Sequence, residues 1–211
     1  GGETALVLIM QQISNPSRKA AMAKTGRPHQ GTGFIAEIQS LLFPDFDNDL
    51  GDAVTGANWR AVRAKLLSDQ KEYMRKHHAD KTVTQEGIFG LSAGEQRNGA
   101  GYTVGGVDLE DQFLLHPHYV LMAAATEPEP EHVRQVLKLM EKQNIFTPWG
   151  MVENVDVNNS ETLPMMGSLN ACFESLGAYH FLKKTNGSVN AIYQAAHQIP
   201  AIHQALKIFY P

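Results

Sequence analysis

Between about Thr55 and Lys76, Trp59, Val62, Leu66 and Tyr73 return to one face while Arg60, Arg63, Lys65, Lys71 and Arg75 occupy the others, the pattern of an amphipathic surface helix. The same period recurs along most of the chain and restricts it to a core built from helices. Residues 31–43 give a second helix that must end before Pro44, because proline lacks an N–H and disfavours helical backbone in the residue before it. Residues 3–13 form a short apolar run closed by Ser14-Asn15-Pro16. His116 to Ala125 is apolar almost all round and is expected to be buried. Pro130 suits the first position of a helix carrying Val133, Val136, Leu137 and Met140 at i, i+3, i+4 and i+7, with Asn144 at its end. From about Leu163 to Lys183, Met165, Leu169, Cys172, Phe173, Leu176 and His180 make one stripe, and residues 188–209 give a last helical stretch interrupted at Pro200. Few segments alternate with the period of a strand; Tyr102 to Val107 is the best, weakened by its glycines. The chain is therefore predicted to be all-α.

With 211 residues, 43% of them hydrophobic, the chain can bury a core and is read as a single domain over residues 1–211. A net charge of -4 without a basic stripe argues against a nucleic-acid partner. The single cysteine, Cys172, excludes an internal disulfide and a thiolate zinc site, and its apolar neighbours suggest a small core residue. No stretch approaches the ~20 apolar residues of a membrane span. The first residues show no signal-peptide pattern, so the compartment stays open.

Two polar, glycine- and asparagine-rich loops, residues 84–112 and 144–162, interrupt the helices and are where chemistry is expected. In the first, Glu86-Gly87-Ile88-Phe89-Gly90-Leu91-Ser92-Ala93-Gly94-Glu95 leads into further glycines up to Gly106, material suited to a shaped pocket wall, since glycine lets backbone approach a ligand closely. A plain exposed connection is the alternative. Carboxylates outside helix surfaces are Glu3, Glu86, Glu95, Asp108, Glu110, Asp111, Glu153 and Asp156, and aromatic rings accompany them at Phe89, Tyr102 and Trp149. A sugar hydrolase needs such a set: one carboxyl donates a proton to the leaving oxygen, another activates water or attacks, and flat rings support sugar faces. Taken singly, each loop carboxylate is more often a solvated charge. His116-Pro117-His118 has two metal-ligating side chains, but their i, i+2 spacing suits a strand better than a helix and no further ligand clusters nearby; a helix start, or hydrogen bonding to a ligand from the pocket rim, is favoured. Asp45-Phe46-Asp47-Asn48-Asp49-Leu50-Gly51-Asp52 alternates oxygens as calcium loops do, but its glycine comes one position late and Gly56 stands where a closing Glu belongs; an Asp-rich turn capping the Trp59 helix is favoured. Met165 and Met166 read as core.

Across nearly the whole chain the order of short motifs resembles the C-terminal half of the glycoamylase-like family, helical-toroid proteins that include β-glucan hydrolases. The motifs are Gly2-Glu3-Thr4-Ala5, His29-Gln30-Gly31-Thr32-Gly33-Phe34, the Asn58 to Ala64 helix start, Phe89 to Glu95 with Gly101-Tyr102, His116-Pro117-His118, and Trp149-Gly150-Met151-Val152-Glu153-Asn154-Val155. The resemblance implies part or all of an (α/α)6 toroid built from antiparallel helix pairs, with the long loops at one end. It places Glu3, Glu95 and Glu153 at the family's acidic positions. Phe89 stands where the family usually has Trp, Gly94-Glu95 replaces Ser-Asp, and Glu153 replaces Asp. A Glu for Asp moves the carboxyl by about one methylene, and a ~1 Å misplacement can cost about a hundredfold in rate.

These readings converge on a glycoside hydrolase acting on a glucan-like oligo- or polysaccharide, with Glu3 as acid and Glu153 as base. Substrate-binding residues are expected at Glu86, Phe89, Ser92, Glu95, Tyr102, His116, Trp149 and Asn154, with no cofactor and no metal required. An inverting site would hold its carboxyls roughly 6.5 to 9.5 Å apart and a retaining one about 5 to 5.5 Å. The alternatives are a carbohydrate-binding or scaffold protein with a helical cleft, and a helical protein-interaction module. The toroid needs more helices than this chain supplies, so a missing N-terminal portion or a second chain is expected to cover it. The resemblance also implies a periplasmic or secreted protein.

Overall fold

The computed structural model describes residues 26–96, 101–109, 113–127, 129–163, 165–186 and 191–211. The apolar run 3–13, Glu3, Glu110 and Asp111 lie outside them.

Helix α1, Gly33–Leu42, stops before Pro44 as expected, and a 3-10 turn follows at Pro44–Asp47. Helix α2, Trp59–His77, begins four residues later than its periodicity suggests because Asp52 fastens the preceding segment as a turn. Asp52 Oδ1 accepts the N–H groups of Val54 and Thr55, and Oδ2 accepts the Trp59 indole N–H at 2.8 Å. The N-cap is Asn58, whose side chain accepts the Ala61 N–H, so the acidic stretch shapes the turn and asparagine caps the helix. A short helix α3, Thr82–Gln85, precedes the first long loop.

Helix α4, His118–Met122, continues into a 3-10 turn at Ala123–Ala125 and is buried on nearly all sides, as its composition requires. Helix α5, Pro130–Lys142, has Pro130 at its start and buries Val133, Val136 and Met140; Asn144 follows in the left-handed region at φ 57°. Helix α6 is Ser168–Asn186, and α7, Ala191–Gln198, and α8, Pro200–Phe209, are divided at Pro200. The main core joins Leu41, Leu67, Met74, Leu91, Leu115, Tyr119, Met122, Met140, Met151 and Phe173. A second cluster packs Phe46 and Trp59 against Leu206 and Phe209 of α8. Among the described residues no helix is long and apolar enough to cross a membrane.

Three sequence expectations need correction. Arg63 is not on a solvated face; it is 1% exposed, with Nη1 donating to the Phe46 carbonyl and Nη2 to Asp47. Helix α6 starts about five residues late, because Leu163 and Met165 are tied to Asn154 and Glu153: the Leu163 N–H bonds the Asn154 carbonyl, and the Glu153 N–H bonds the Met165 carbonyl. The expected stripe rotates accordingly, so Met165, Leu169 and Cys172 are exposed, while Phe173, Gly177, His180 and Phe181 face inward.

Helices α4 and α6 cross with almost no space between them. A Cβ on Gly177 would fall on the Leu121 carbonyl, a backbone atom that cannot rotate away. Gly177→Ala is expected to lower unfolding free energy in urea by about 1–3 kcal/mol, the usual range for forcing an extra methyl into a packed contact. An unchanged midpoint would mean that the two helices separate easily.

Three short antiparallel ribbons lie in and directly after the predicted loops. β1, Ala93–Glu95, pairs with β2, Tyr102–Val104; β3, Leu114–Leu115, pairs with β6, Val155–Asp156; and β4, Phe146–Thr147, pairs with β5, Gly150–Met151. The middle ribbon sets Leu115 opposite Val155 and thereby ties the two loops together.

Candidate functional site

Glu153 lies where the loops meet and is 2% exposed. Its Oε1 accepts the Glu95 backbone N–H at 3.1 Å and the Asn170 side-chain amide at 2.6 Å, and Oε2 accepts the Gly167 N–H at 2.8 Å. Glycine is needed on both flanks: a Cβ on Gly94 or Gly167 would stand 2.8 Å from a carboxyl oxygen. Glu95 contributes through its backbone, since its N–H holds Glu153 and its carbonyl accepts the Asn154 side-chain amide at 2.7 Å. Three N–H donors on one buried carboxyl form the surroundings of an anion held in one orientation.

Tyr102 stands beside this centre, about half exposed, its hydroxyl donating to the Ala93 carbonyl at 3.3 Å. Partial burial raises its phenol pKa, the charges of Glu153 and Glu95 raise it further, and Asn170 opposes them. Trp149, 81% exposed, projects from the turn joining β4 to β5. Glu174 of α6, 7% exposed, reaches the β4–β5 ribbon, where its Oε2 accepts the Met151 N–H at a long 3.4 Å. Burial pushes the Glu174 carboxyl up to about 7; the neighbouring charge of Glu153 adds to this and the Met151 hydrogen bond opposes it.

The other expected site residues fall in different surroundings. His116 is fully buried rather than at a rim; its ring lies against Gly94, and burial lowers its pKa to about 4. Among the described residues, neither His116 ring nitrogen has a hydrogen-bond partner. His118 Nε2 and Ser92 Oγ are 3.0 Å apart, both buried, so Ser92 and His118 serve each other and not a surface ligand. Phe89 is a core ring packed edge-on against Tyr119 at 6.0 Å, with the Lys71 ammonium 5.3 Å from its centre. Glu86 is taken up at the end of α5 by the Gln143 amide at 2.7 Å and Lys142 at 3.9 Å. Asp108 pairs with Arg27, and Asp156 accepts the Asn158 N–H within its own turn. The structure therefore gathers Glu95, Tyr102, Glu153 and Asn154 around one point, with Trp149 on the adjoining turn, and leaves Glu86 and Phe89 elsewhere.

Glu174 was missed because an acidic residue inside a helix resembles a solvated one. The available signal was its spacing: it follows Asn170 by four residues and Phe173 by one, on the inward side of α6.

The Glu174 shift has a consequence for stability. Its folded value of about 7 lies above the ordinary 4.5, so the native state keeps a proton that the unfolded chain releases. The resulting stabilisation is complete below about pH 4.5 and is lost as pH rises through about 7. Glu37, buried and also pushed up to about 7, acts with the same sign in wild type and variant alike. Urea unfolding from pH 5 to pH 8 should show a decline that is smaller in Glu174→Gln by up to roughly 3 kcal/mol. Equal slopes in the two proteins would contradict the assignment.

Helices and carboxylate-bearing loops arranged in this way define a glucoamylase-like helical fold. Similar solved structures include a beta-1,2-glucanase from Parabacteroides distasonis (TM-score 0.64, 13% identity, 85% of this chain and 24% of that one). An endo-beta-1,2-glucanase from Chitinophaga pinensis, solved with sophorotriose and glucose, matches with TM-score 0.63 and 14% identity over 84% of this chain and 40% of that one. A putative glucoamylase from Bacteroides fragilis matches with TM-score 0.63 and 18% identity over 85% of this chain and 40% of that one. The chain thus spans well under half the length of the structures it matches. At these identities the likeness shows the fold. No protein-family model matches the sequence, and no curated protein does.

Proposed function

We propose that this chain forms the loop-bearing part of a glycoside hydrolase acting on a glucan-like oligo- or polysaccharide, with Glu153 as the base that takes a proton from attacking water. The observation that carries this reading is the Glu153 centre: a buried carboxyl oriented by three N–H donors, beside half-exposed Tyr102 and one turn from exposed Trp149. Orientation of this kind is what a general base requires, and exposed aromatic rings are suited to sugar faces. The shared fold supports the same reading, and the two glucanases make a β-1,2-linked glucan the first substrate to try. Glu3, the acid that the family resemblance implies, lies outside the described residues. Glu95, Tyr102, Trp149 and Asn154 are proposed to line the sugar site.

The test is reducing-sugar release from a panel of α- and β-linked glucans, using the chain, Glu153→Gln and Glu3→Gln. The reading expects release that falls by roughly two to four powers of ten when the base is removed. One observation favours a second reading, carbohydrate binding without turnover: Glu153 is only 2% exposed and both its oxygens are already engaged. That reading expects calorimetric binding of a glucan by the wild-type chain, with no release from any member of the panel.

A further inference from the structure

Hydrolysis needs a proton donor as well as a base, because the leaving sugar oxygen must be protonated as its bond to the anomeric carbon breaks. Among the described residues, the carboxyl that acts electrostatically with Glu153 and lacks comparable anchoring is Glu174. Asn170 and Glu174 are one helical turn apart and share a face of α6; the Asn170 amide holds Glu153, which brings Glu174 to the same centre. Whereas Glu153 has three N–H donors at up to 3.1 Å, Glu174 has, among the described residues, the Met151 N–H alone at 3.4 Å. Asn170 Oδ1, buried beside the pair, makes no hydrogen bond among the described residues.

We propose that Glu174, lying behind the exposed Trp149 turn and one helical turn from the amide that anchors Glu153, is the residue that protonates the leaving oxygen. This rests on the hydrolase reading. The Glu174 carboxyl proton passes to the glycosidic oxygen as the carbon–oxygen bond breaks and its electron pair stays with that oxygen. Water adds to the anomeric carbon and gives its proton to Glu153; proton return from Glu153 to Glu174 through solvent restores the enzyme. The two roles are divided by anchoring: three N–H donors orient the Glu153 carboxyl, whereas the Glu174 carboxyl is held by one long hydrogen bond.

Leaving-group dependence tests this. The chain, Glu174→Gln, Glu174→Asp and Glu3→Gln are assayed on β-1,2-glucan and on a dinitrophenyl glycoside of matched length, whose phenolate departs without protonation. Glu174→Gln is expected to lose roughly two to four powers of ten on the glucan and less than about tenfold on the aryl glycoside. Glu174→Asp should recover part of the glucan rate. Wild-type glucan cleavage by Glu174→Gln, equal loss on both substrates, or the same leaving-group signature in Glu3→Gln instead would overturn the assignment and leave the hydrolase reading standing. A wild-type chain that cleaves neither substrate removes the hydrolase reading, and this inference with it. Urea midpoints of the variants separate lost chemistry from lost folding.

Discussion

Glu153→Gln is expected to abolish most glucan cleavage while keeping the fold, and Glu153→Ala is expected to cost about 3–5 kcal/mol of stability. The difference follows from the donors. In the glutamine variant the side-chain oxygen can occupy the Oε1 position and still accept from the Glu95 N–H and the Asn170 amide. Its NH2 group then faces the Gly167 N–H, donor against donor, so one buried hydrogen bond is lost at about 1–3 kcal/mol. Alanine leaves the Glu95, Gly167 and Asn170 donors all without an acceptor in a site where the carboxyl is 2% exposed. Moving the obstacle to the other partner should give a related result: Gly167→Ala sets a methyl 2.8 Å from Oε2 and must displace either the carboxyl or the backbone at Gly167. Urea unfolding and rate measurements on the three variants check this. Wild-type stability in Glu153→Ala would mean that the donors are readily hydrated, and a wild-type rate in Glu153→Gln would remove Glu153 from the chemistry.

The helical class was legible because apolar periodicity and proline placement are local signals. Pro44, Pro130 and Pro200 mark element ends where the structure has them. What periodicity could not supply was tertiary hydrogen bonding. The start of α6 is set by Leu163 and Met165 pairing with Asn154 and Glu153, partners about ten residues away in sequence, and this moved Leu169 and Cys172 to the surface. The loop carboxylates showed a similar limit. Composition drew attention to both loops, yet it gave Glu86, held at the end of α5, the same standing as Glu153. Phe89 and Ser92 were read as site residues because they sit among glycines, but those glycines let backbone pass close to His116 and so serve packing; a Cβ on Gly90 would stand 2.6 Å from the His116 carbonyl. Glu174 went unread for the opposite reason, an acidic residue in regular helix whose burial depends on the approach of the β4–β5 turn.

Arg63 provides the sharpest test of how the helical scaffold is held. Arg63→Ala should destabilise the protein by about 3–5 kcal/mol, the cost of removing one member of a buried charged network. The guanidinium ties its own helix to three other segments: Nη1 bonds the Phe46 carbonyl at 2.8 Å, Nη2 bonds Asp47 at 2.5 Å, Nε bonds Thr126 Oγ1 at 3.3 Å, and Glu37 Oε2 lies 3.6 Å away. Loss of the arginine strands the Phe46 carbonyl and leaves Glu37 without its cation. Glu37 itself should be less sensitive in acid. Burial raises its carboxyl to about 7 in spite of the opposing charge of Arg63, so at pH 5 it is a neutral acid that glutamine can replace. Its favourable contribution is present below about pH 4.5 and disappears as pH rises through about 7, so Glu37→Gln should compare more favourably with wild type at pH 8 than at pH 5. Urea titrations of both variants at the two pH values measure this. A small loss in Arg63→Ala would mean that this buried network contributes little to the scaffold, whereas a Glu37→Gln penalty that grows with pH would mean that the Glu37–Arg63 ion pair outweighs the desolvation that opposes it.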